Sequence, residues 1–392
     1  MPTTRRQRPK DRKETIALVA AELFCARGYH NVGIEDIAQE IGVTGPALYR
    51  HFPNKQAVLA AAVGELGVRF AECVHSGAGE PAPPDRLQAA LRALVRYTLD
   101  RRAVARLYQW ESRYLDPEQR AELTAPFDGA VRTLRELLLD VRPSLPKQDA
   151  ALVISAVLSV IASPATHRAS LSRGKAERTI LDCVAVLTAV SLPAPPPRTS
   201  TWQDREDRFA LLPRRERLLA EAIRLFHERG YHQVSIADIG QAAGINASSV
   251  YSHYAGKAEL LAAAYHRAAG RLADTAAAAL AGASSPAQAL GRLIDAYVEI
   301  TFEQADLAAV YVSESENLPP ADLRRLRAAQ RRHVDTWTGL VAQVRVGEEA
   351  AELRFRTHAA LNIVTDLARA AGPSVTGART AALLRPMLGL PG

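Results

Sequence analysis

Ile16, Val19, Ala20, Leu23 and Phe24 recur at i, i+3, i+4, i+7 and i+8, the spacing that places apolar side chains on one face of a helix. Gly28 follows, where the chain must turn out of that helix. A shorter apolar set, Ile34, Ile37, Ala38 and Ile41, begins just after Gly33, and Glu35 and Asp36 put acids in its first turn, where the N-terminal dipole favours them. Gly42 breaks this second helix. Thr44 then stands at the capping position of a third, with Pro46 in its first turn, where a missing backbone donor does no harm. Two short helices joined by a tight glycine turn make a helix-turn-helix. From Lys55 onward, Val58, Leu59, Ala62, Val63, Leu66 and Phe70 predict a long fourth helix leading out of this head.

The pattern returns 202 residues later. Aligned without a gap, Glu14–Ala62 and Glu216–Ala264 agree at 21 of 49 positions, so the chain carries a duplication. The second copy reaches the same local geometry with other residues. Ser235 and Asp238 stand at capping-box spacing, Gly244 makes the turn and Asn246 caps the third helix. Helical periodicity continues at 85–113, 117–140, 147–163 and 175–190, and again at 286–316, 319–345, 349–371 and 376–389, with breaks near Pro117, Pro143 and Pro164. Tyr108, Glu111, Ser112 and Leu115 match Tyr311, Glu314, Ser315 and Leu318 at a spacing of 203, so the bodies are duplicated with the heads. No stretch reads as a strand. The expectation is an all-α chain of two tandem units, divided as a basic arm at 1–13, a first head at 14–56, a first helical effector and pairing domain at 57–190, a Pro-rich linker at 191–212, a second head at 213–258 and a second helical domain at 259–392. The linker, Ser191-Leu192-Pro193-Ala194-Pro195-Pro196-Pro197, reads as an extended spacer.

Leu48-Tyr49-Arg50-His51-Phe52-Pro53-Asn54-Lys55 and Val250-Tyr251-Ser252-His253-Tyr254-Ala255-Gly256-Lys257 resemble the segment that closes the DNA-binding head of TetR-family transcriptional regulators. The preceding "GxxxxxIxxIAxxxGV" pattern is complete in the first copy and departs at Gly240 and Ile245 in the second. The opening Arg-Pro-Lys-Asp-Arg-Lys and the tandem layout are similar to the fused double regulators of actinobacterial mammalian-cell-entry (lipid import) operons. The resemblance implies two helix-turn-helix heads on double-stranded operator DNA and two helical bodies, each with a pocket whose ligand moves the linking helix.

Net charge is +7 and the pI is near 9.4, a basic excess compatible with nucleic acid. Its distribution adds more. Between Arg5 and Lys13 there are six basic residues and one acid, whereas Asp204–Arg217 holds five basic and four acidic ones, so the heads are electrostatically unequal. The arm is expected to lack fixed structure without DNA, with Arg5, Arg6 and Arg8 entering the minor groove beside the first head. Cys25, Cys73 and Cys183 are far apart and odd in number, which suits a reducing compartment and offers no metal spacing. No metal or cofactor is expected. No apolar run approaches the roughly 20 residues that span a bilayer, and no signal core follows the basic start, so a cytoplasmic protein without a membrane partner is expected.

Recognition-helix starts meet base edges in the major groove. Thr44, Gly45, Pro46 and Ala47 hold those positions in the first head, and Asn246, Ala247, Ser248 and Ser249 in the second. By the family resemblance, Tyr49, His51 and Lys55 contact phosphates, as do Tyr251, His253 and Lys257, with Arg50 and Ser252 beside them. Phosphate-facing residues are retained and base-facing residues differ, which predicts an asymmetric operator. Phe52 and Tyr254 read as core aromatics.

For the bodies, Tyr97, Tyr108, Trp110, Glu111 and Phe127 in the first, and Tyr297, Phe302, Tyr311, Glu314 and Trp337 in the second, are candidate pocket residues for a hydrophobic effector such as a lipid or acyl thioester. Aromatics at helical spacing also serve as plain core. The two last helices of each body are expected to pair the units, making one chain a pseudo-dimer that can pair further. Two alternatives keep the DNA-binding reading in part: a constitutive binder without an effector, and a regulator whose second head has become a protein-interaction module. An enzyme is disfavoured, for no catalytic or nucleotide-binding motif occurs.

Overall fold

The structure, a computed structural model, describes residues 9–102, 107, 114–195 and 212–391. Among them the chain is helical and contains no named strand. It divides into two compact units, Met1–Thr188 and Ala189–Gly392.

In the first unit, α1 (Pro9–Arg27) buries Ile16, Ala20 and Phe24 and ends at Gly28, whose φ of +79° is the left-handed region that favours glycine. The second helix, α2 (Ile34–Glu40), buries Ile34, Ile37 and Ala38. Gly42 turns the chain at φ +69°, and Val43 N donates to Ala38 O at 2.9 Å, closing the helix-turn-helix before α3 (Gly45–Tyr49). The second unit repeats this through α9 (Arg214–Arg229), α10 (Ile236–Ala242) and α11 (Ala247–Tyr251), with Gly230 at +81° and Gly244 at +71°. Both halves of the Ser235–Asp238 capping box are made, and the Asn246 side chain accepts from Ser249 N. Thr44 takes the extended capping conformation, yet its side chain makes no capping bond.

The linking helices are α4 (Lys55–His75) and α12 (Lys257–Ala281). In the first body follow α5 (Pro83–Asp100), α6 (Pro117–Val141), α7 (Lys147–Ala162) and α8 (Arg173–Ala189). In the second follow α13 (Pro286–Glu303), α14 (Ala305–Glu314), α15 (Pro320–Val344), α16 (Ala350–Arg369) and α17 (Gly377–Met387). Helix α4 packs on α1 in the head and on α5 and α6 in the body; α12 does the same with α9, α13 and α15. Head and body also share a core, for Leu107 and Leu115 are buried with the first head's residues and Val310 and Leu318 with the second's. Glu14–Arg69 and Glu216–Arg267 tie the first helix of each head to its linking helix.

Four features depart from the sequence reading. Helix α1 already starts at Pro9, so residues 9–13 of the expected arm are helical; Arg5, Arg6 and Arg8 lie outside the described residues. The long helix expected at 286–316 breaks at Gln304 (φ −121°, ψ 39°), and its counterpart ends at Arg101 (φ −133°, ψ 53°), without the proline or glycine that would have marked the break. Lys147–Ala165 is long and apolar enough, at a mean hydropathy of 1.5, to cross a membrane by length and composition. Two-thirds of it is buried within the protein, as a bundle's central helix is. Finally, the start of the Pro-rich linker is held: the fully buried Arg379 donates to Pro193 O at 3.1 Å, because a buried guanidinium needs acceptors.

Candidate nucleic-acid interface

The short α3 and α11 each bury one apolar residue, Leu48 and Val250, and turn their other side outward. Thr44, Pro46 and Arg50 are exposed in the first head, as are Asn246, Ser248 and Ser252 in the second; Ala47, Ser249, His51 and His253 are half-buried. Tyr49 is 52% and Tyr251 59% exposed, too open for core aromatics. Phe52 and Tyr254 are buried, as expected. All the sequence-predicted residues of the two recognition helices except Gly45 therefore keep exposed or partly exposed surface.

Gly45 is buried, and a Cβ there would collide with the Glu35 carboxylate. The second head has Ala247, half-buried, in the equivalent place, and Ala237 where the first head has Glu35.

Lys55 and Lys257 also depart from expectation. Lys55 Nζ donates to Tyr29 O at 2.9 Å and Val32 O at 3.0 Å, and lies 4.3 Å from the centre of the Tyr29 ring. Lys257 Nζ donates to Tyr231 O at 2.8 Å and lies 4.5 Å from the Tyr231 ring. Both amines are half-buried, and burial lowers their pKa values, with Asp36 opposing the shift in the first head and Asp238 and Glu314 in the second. A lysine at the start of a helix has no nearby free carbonyls of its own. Here the 3₁₀ turns Tyr29–Asn31 and Tyr231–Gln233 supply them, so these lysines staple the head to the linking helix.

Beside α3 lies a groove of about 260 Å³ lined by Arg12, Ile16, Val43, Ala47, Leu48, Arg50 and His51. Two guanidinium groups and an imidazole around an open groove suit a phosphate. Arg12 was not singled out from the sequence; the helical start of α1 is what brings it here. The equivalent positions of the second head hold Arg214, Ser252 and His253. Arg215, also missed, donates to Tyr254 Oη at 2.9 Å and stacks on its ring.

In the bodies the candidate residues separate. Tyr108, Trp110 and Glu111 lie outside the described residues. Tyr97 packs against the first head's core, and burial pushes its phenol up to about 12. Phe127 stacks on Phe70 at 4.3 Å. The Tyr97 hydroxyl is buried and reaches no hydrogen-bond partner among the described residues. In the second body Tyr311 Oη donates to Gln330 at 2.7 Å, Phe302 is half-buried, and the buried Glu314 accepts from Asn317 at 2.9 Å while standing within electrostatic reach of Tyr265 and Lys257. Glu314 therefore belongs to the head–body junction. Tyr297 and Trp337 are buried and meet ring to ring at 5.4 Å. At the same junction of the first unit, Tyr114 stacks on Tyr29 at 5.0 Å, a contact no motif announced.

The model of the bacterial regulatory proteins of the tetR family matches residues 16–62 and 218–264, and that of a tetracyclin-repressor-like C-terminal domain matches 80–166 and 283–369, together more than half of the chain. Among curated relatives, an HTH-type transcriptional repressor of Mycobacterium tuberculosis (strain ATCC 25618 / H37Rv) is 34% identical over 114 residues, 27% of this chain and 58% of the relative. The HTH-type transcriptional activator FasR of Mycolicibacterium smegmatis is 43% identical over 70 residues, 16% of this chain and 32% of the relative. The chain thus spans just over half the length of the first of these relatives and a third of the second. The crystal structure of the TetR-family regulator PfmR from Thermus thermophilus is 23% identical, with a TM-score of 0.42 over 46% of this chain and 99% of that one.

Proposed function

The chain belongs to the tetR family of bacterial regulatory proteins, and from that premise we propose that it is a sequence-specific DNA-binding transcriptional regulator, cytoplasmic and not an enzyme, whose two heads read different half-sites of one asymmetric operator. The observation that carries this reading is the pair of outward recognition faces. They keep Tyr49 and His51 as Tyr251 and His253, yet exchange Thr44, Pro46 and Ala47 for Asn246, Ser248 and Ser249. Phosphate contacts position a protein and base contacts specify the sequence. Heads that share the first and differ in the second grip alike and read differently. The half-sites then lie about one helical turn, or a multiple of it, apart.

Repression is part of the proposal, with release on binding a hydrophobic effector in a body. The shared head–body cores support that coupling, because a body residue such as Val310 cannot shift without disturbing the head. Selection of operator DNA from a random pool, followed by native mass spectrometry, tests the reading. One chain on a non-palindromic site is the expected result. Two chains on a palindrome would show that one head dominates recognition.

A further inference from the structure

In the first head the start of α1 lies against the end of the recognition helix, bringing Arg12 into one groove with Ala47, Arg50 and His51. The next residue along, Lys13, holds its amine 5.8 Å from the centre of the Phe52 ring. The second head repeats this pairing 202 residues later with both partners different: Arg215 stands for Lys13 and Tyr254 for Phe52. Arg215 Nε donates to Tyr254 Oη at 2.9 Å, and the guanidinium carbon lies 5.0 Å from the centre of the ring. Tyr254 is only 2% exposed, so the ring that carries this hydroxyl is fixed in the head's core. Arg215 itself is exposed.

Fixing one edge of a guanidinium selects what the rest can do. The group offers an anion two pairs of donors, Nε with one Nη or the two Nη groups together. Tyr254 takes the Nε donor, so the pair of Nη groups remains, and among the described residues nothing bonds them. The nearby carboxylates are occupied, Glu216 by Arg267 and Glu259 by Ala255 N. Lys13 has no such fixed direction, because its donors rotate and Phe52 has no acceptor to hold them. Tyr254 follows directly on His253, so the held guanidinium belongs to the end of α11 that carries the expected phosphate contacts. That end has no arginine of its own. Ser252 stands where the first head has Arg50, and its hydroxyl turns back onto Ser249 O at 2.7 Å.

We propose that Arg215 contacts a DNA phosphate in the second head and that Tyr254 is the residue that positions it. The proposal rests on the DNA-binding reading above and goes beyond it by assigning a contact and the group that orients it. A guanidinium already held in place loses less side-chain freedom on meeting its phosphate, so the hydroxyl should strengthen binding without adding charge.

The test uses the full chain and an operator selected from a random pool, with its phosphates replaced one at a time by uncharged methylphosphonates. Arg215→Met is expected to weaken operator binding about tenfold and to lower the salt slope by about one. It should also become indifferent to one methylphosphonate that weakens the wild type. Tyr254→Phe keeps the charge and a ring that fits, as the buried Phe52 does in the first head. It should leave the salt slope unchanged and weaken binding about threefold. The double variant should bind like Arg215→Met alone, because the hydroxyl acts only through the guanidinium. Wild-type affinity and slope in Arg215→Met, beside a lowered melting temperature, would overturn the proposal, since the pair would then serve only to satisfy the tyrosine hydroxyl. A loss from Tyr254→Phe that persists undiminished in the Arg215→Met background would overturn the positioning role. If the wild type binds no selected DNA, the regulator reading fails together with this contact; if it binds with a slope that ignores Arg215, the contact alone fails.

Discussion

Lys55 and Lys257 show how the setting of one residue decides its role. A lysine at the start of a helix next to a DNA-reading segment invites a phosphate contact, whereas in the fold its amine is held by the carbonyls of the preceding 3₁₀ turn and lies over a tyrosine ring. Lys55→Met should therefore lower stability by roughly 1–2 kcal/mol, the loss of hydrogen bonds to a half-buried charge. Thermal melts read that loss. The salt dependence of operator binding should stay the same, and a slope reduced by about one would restore the phosphate role. Gly45 makes a different argument. Its Cβ position collides only with the exposed end of Glu35, which can swing into solvent, so Gly45→Ala should be neutral or stabilising by up to about 1 kcal/mol through helix propensity. A clear loss of stability in Gly45→Ala that Glu35→Ala does not relieve would show that the backbone, not the side chain, is what needs glycine there.

At the scale of elements, α15 and α16 each carry an imidazole that burial holds at a pKa of about 4, His333 and His358, the latter with help from Arg354. An ordinary histidine titrates near 6.5. The unfolded chain thus binds these protons first, and stability, complete above pH 6.5, is lost as pH falls toward 4, by up to roughly 3 kcal/mol for each group. Urea unfolding at pH 7.5, 5.5 and 4.5 should show the decline, and His333→Phe should remove about half of it. A flat profile across that window would mean that neither ring is desolvated as the fold suggests. The same elements mark where sequence stops being legible. Turns fixed by Gly28, Gly42, Gly230 and Gly244 and caps such as Asn246 are written locally, so the heads could be drawn from the sequence. The break at Arg101 and Gln304 has no such punctuation and depends on packing.

Across the whole molecule, duplication followed by separate change gives one chain two heads of unequal charge and unequal reading. The groove beside α3 gathers Arg12, Arg50 and His51, whereas the second head keeps Arg214 and His253 but has Ser252 where Arg50 would stand. The first head should then carry more of the salt-dependent affinity. Arg50→Ser should lower the salt slope by about one and weaken binding to every sequence alike, since a phosphate contact has no sequence preference. Base-facing changes should behave otherwise. Pro46→Ala should alter preference within one half-site and Ser248→Ala within the other, each site mismatch costing about 1–3 kcal/mol. Selecting operators separately for the wild type and the two variants checks this, because an asymmetric site lets each change be mapped to one side. If both variants shifted the same half-site, the two heads would not divide the operator between them, and the differences between their recognition helices would have no part in reading DNA.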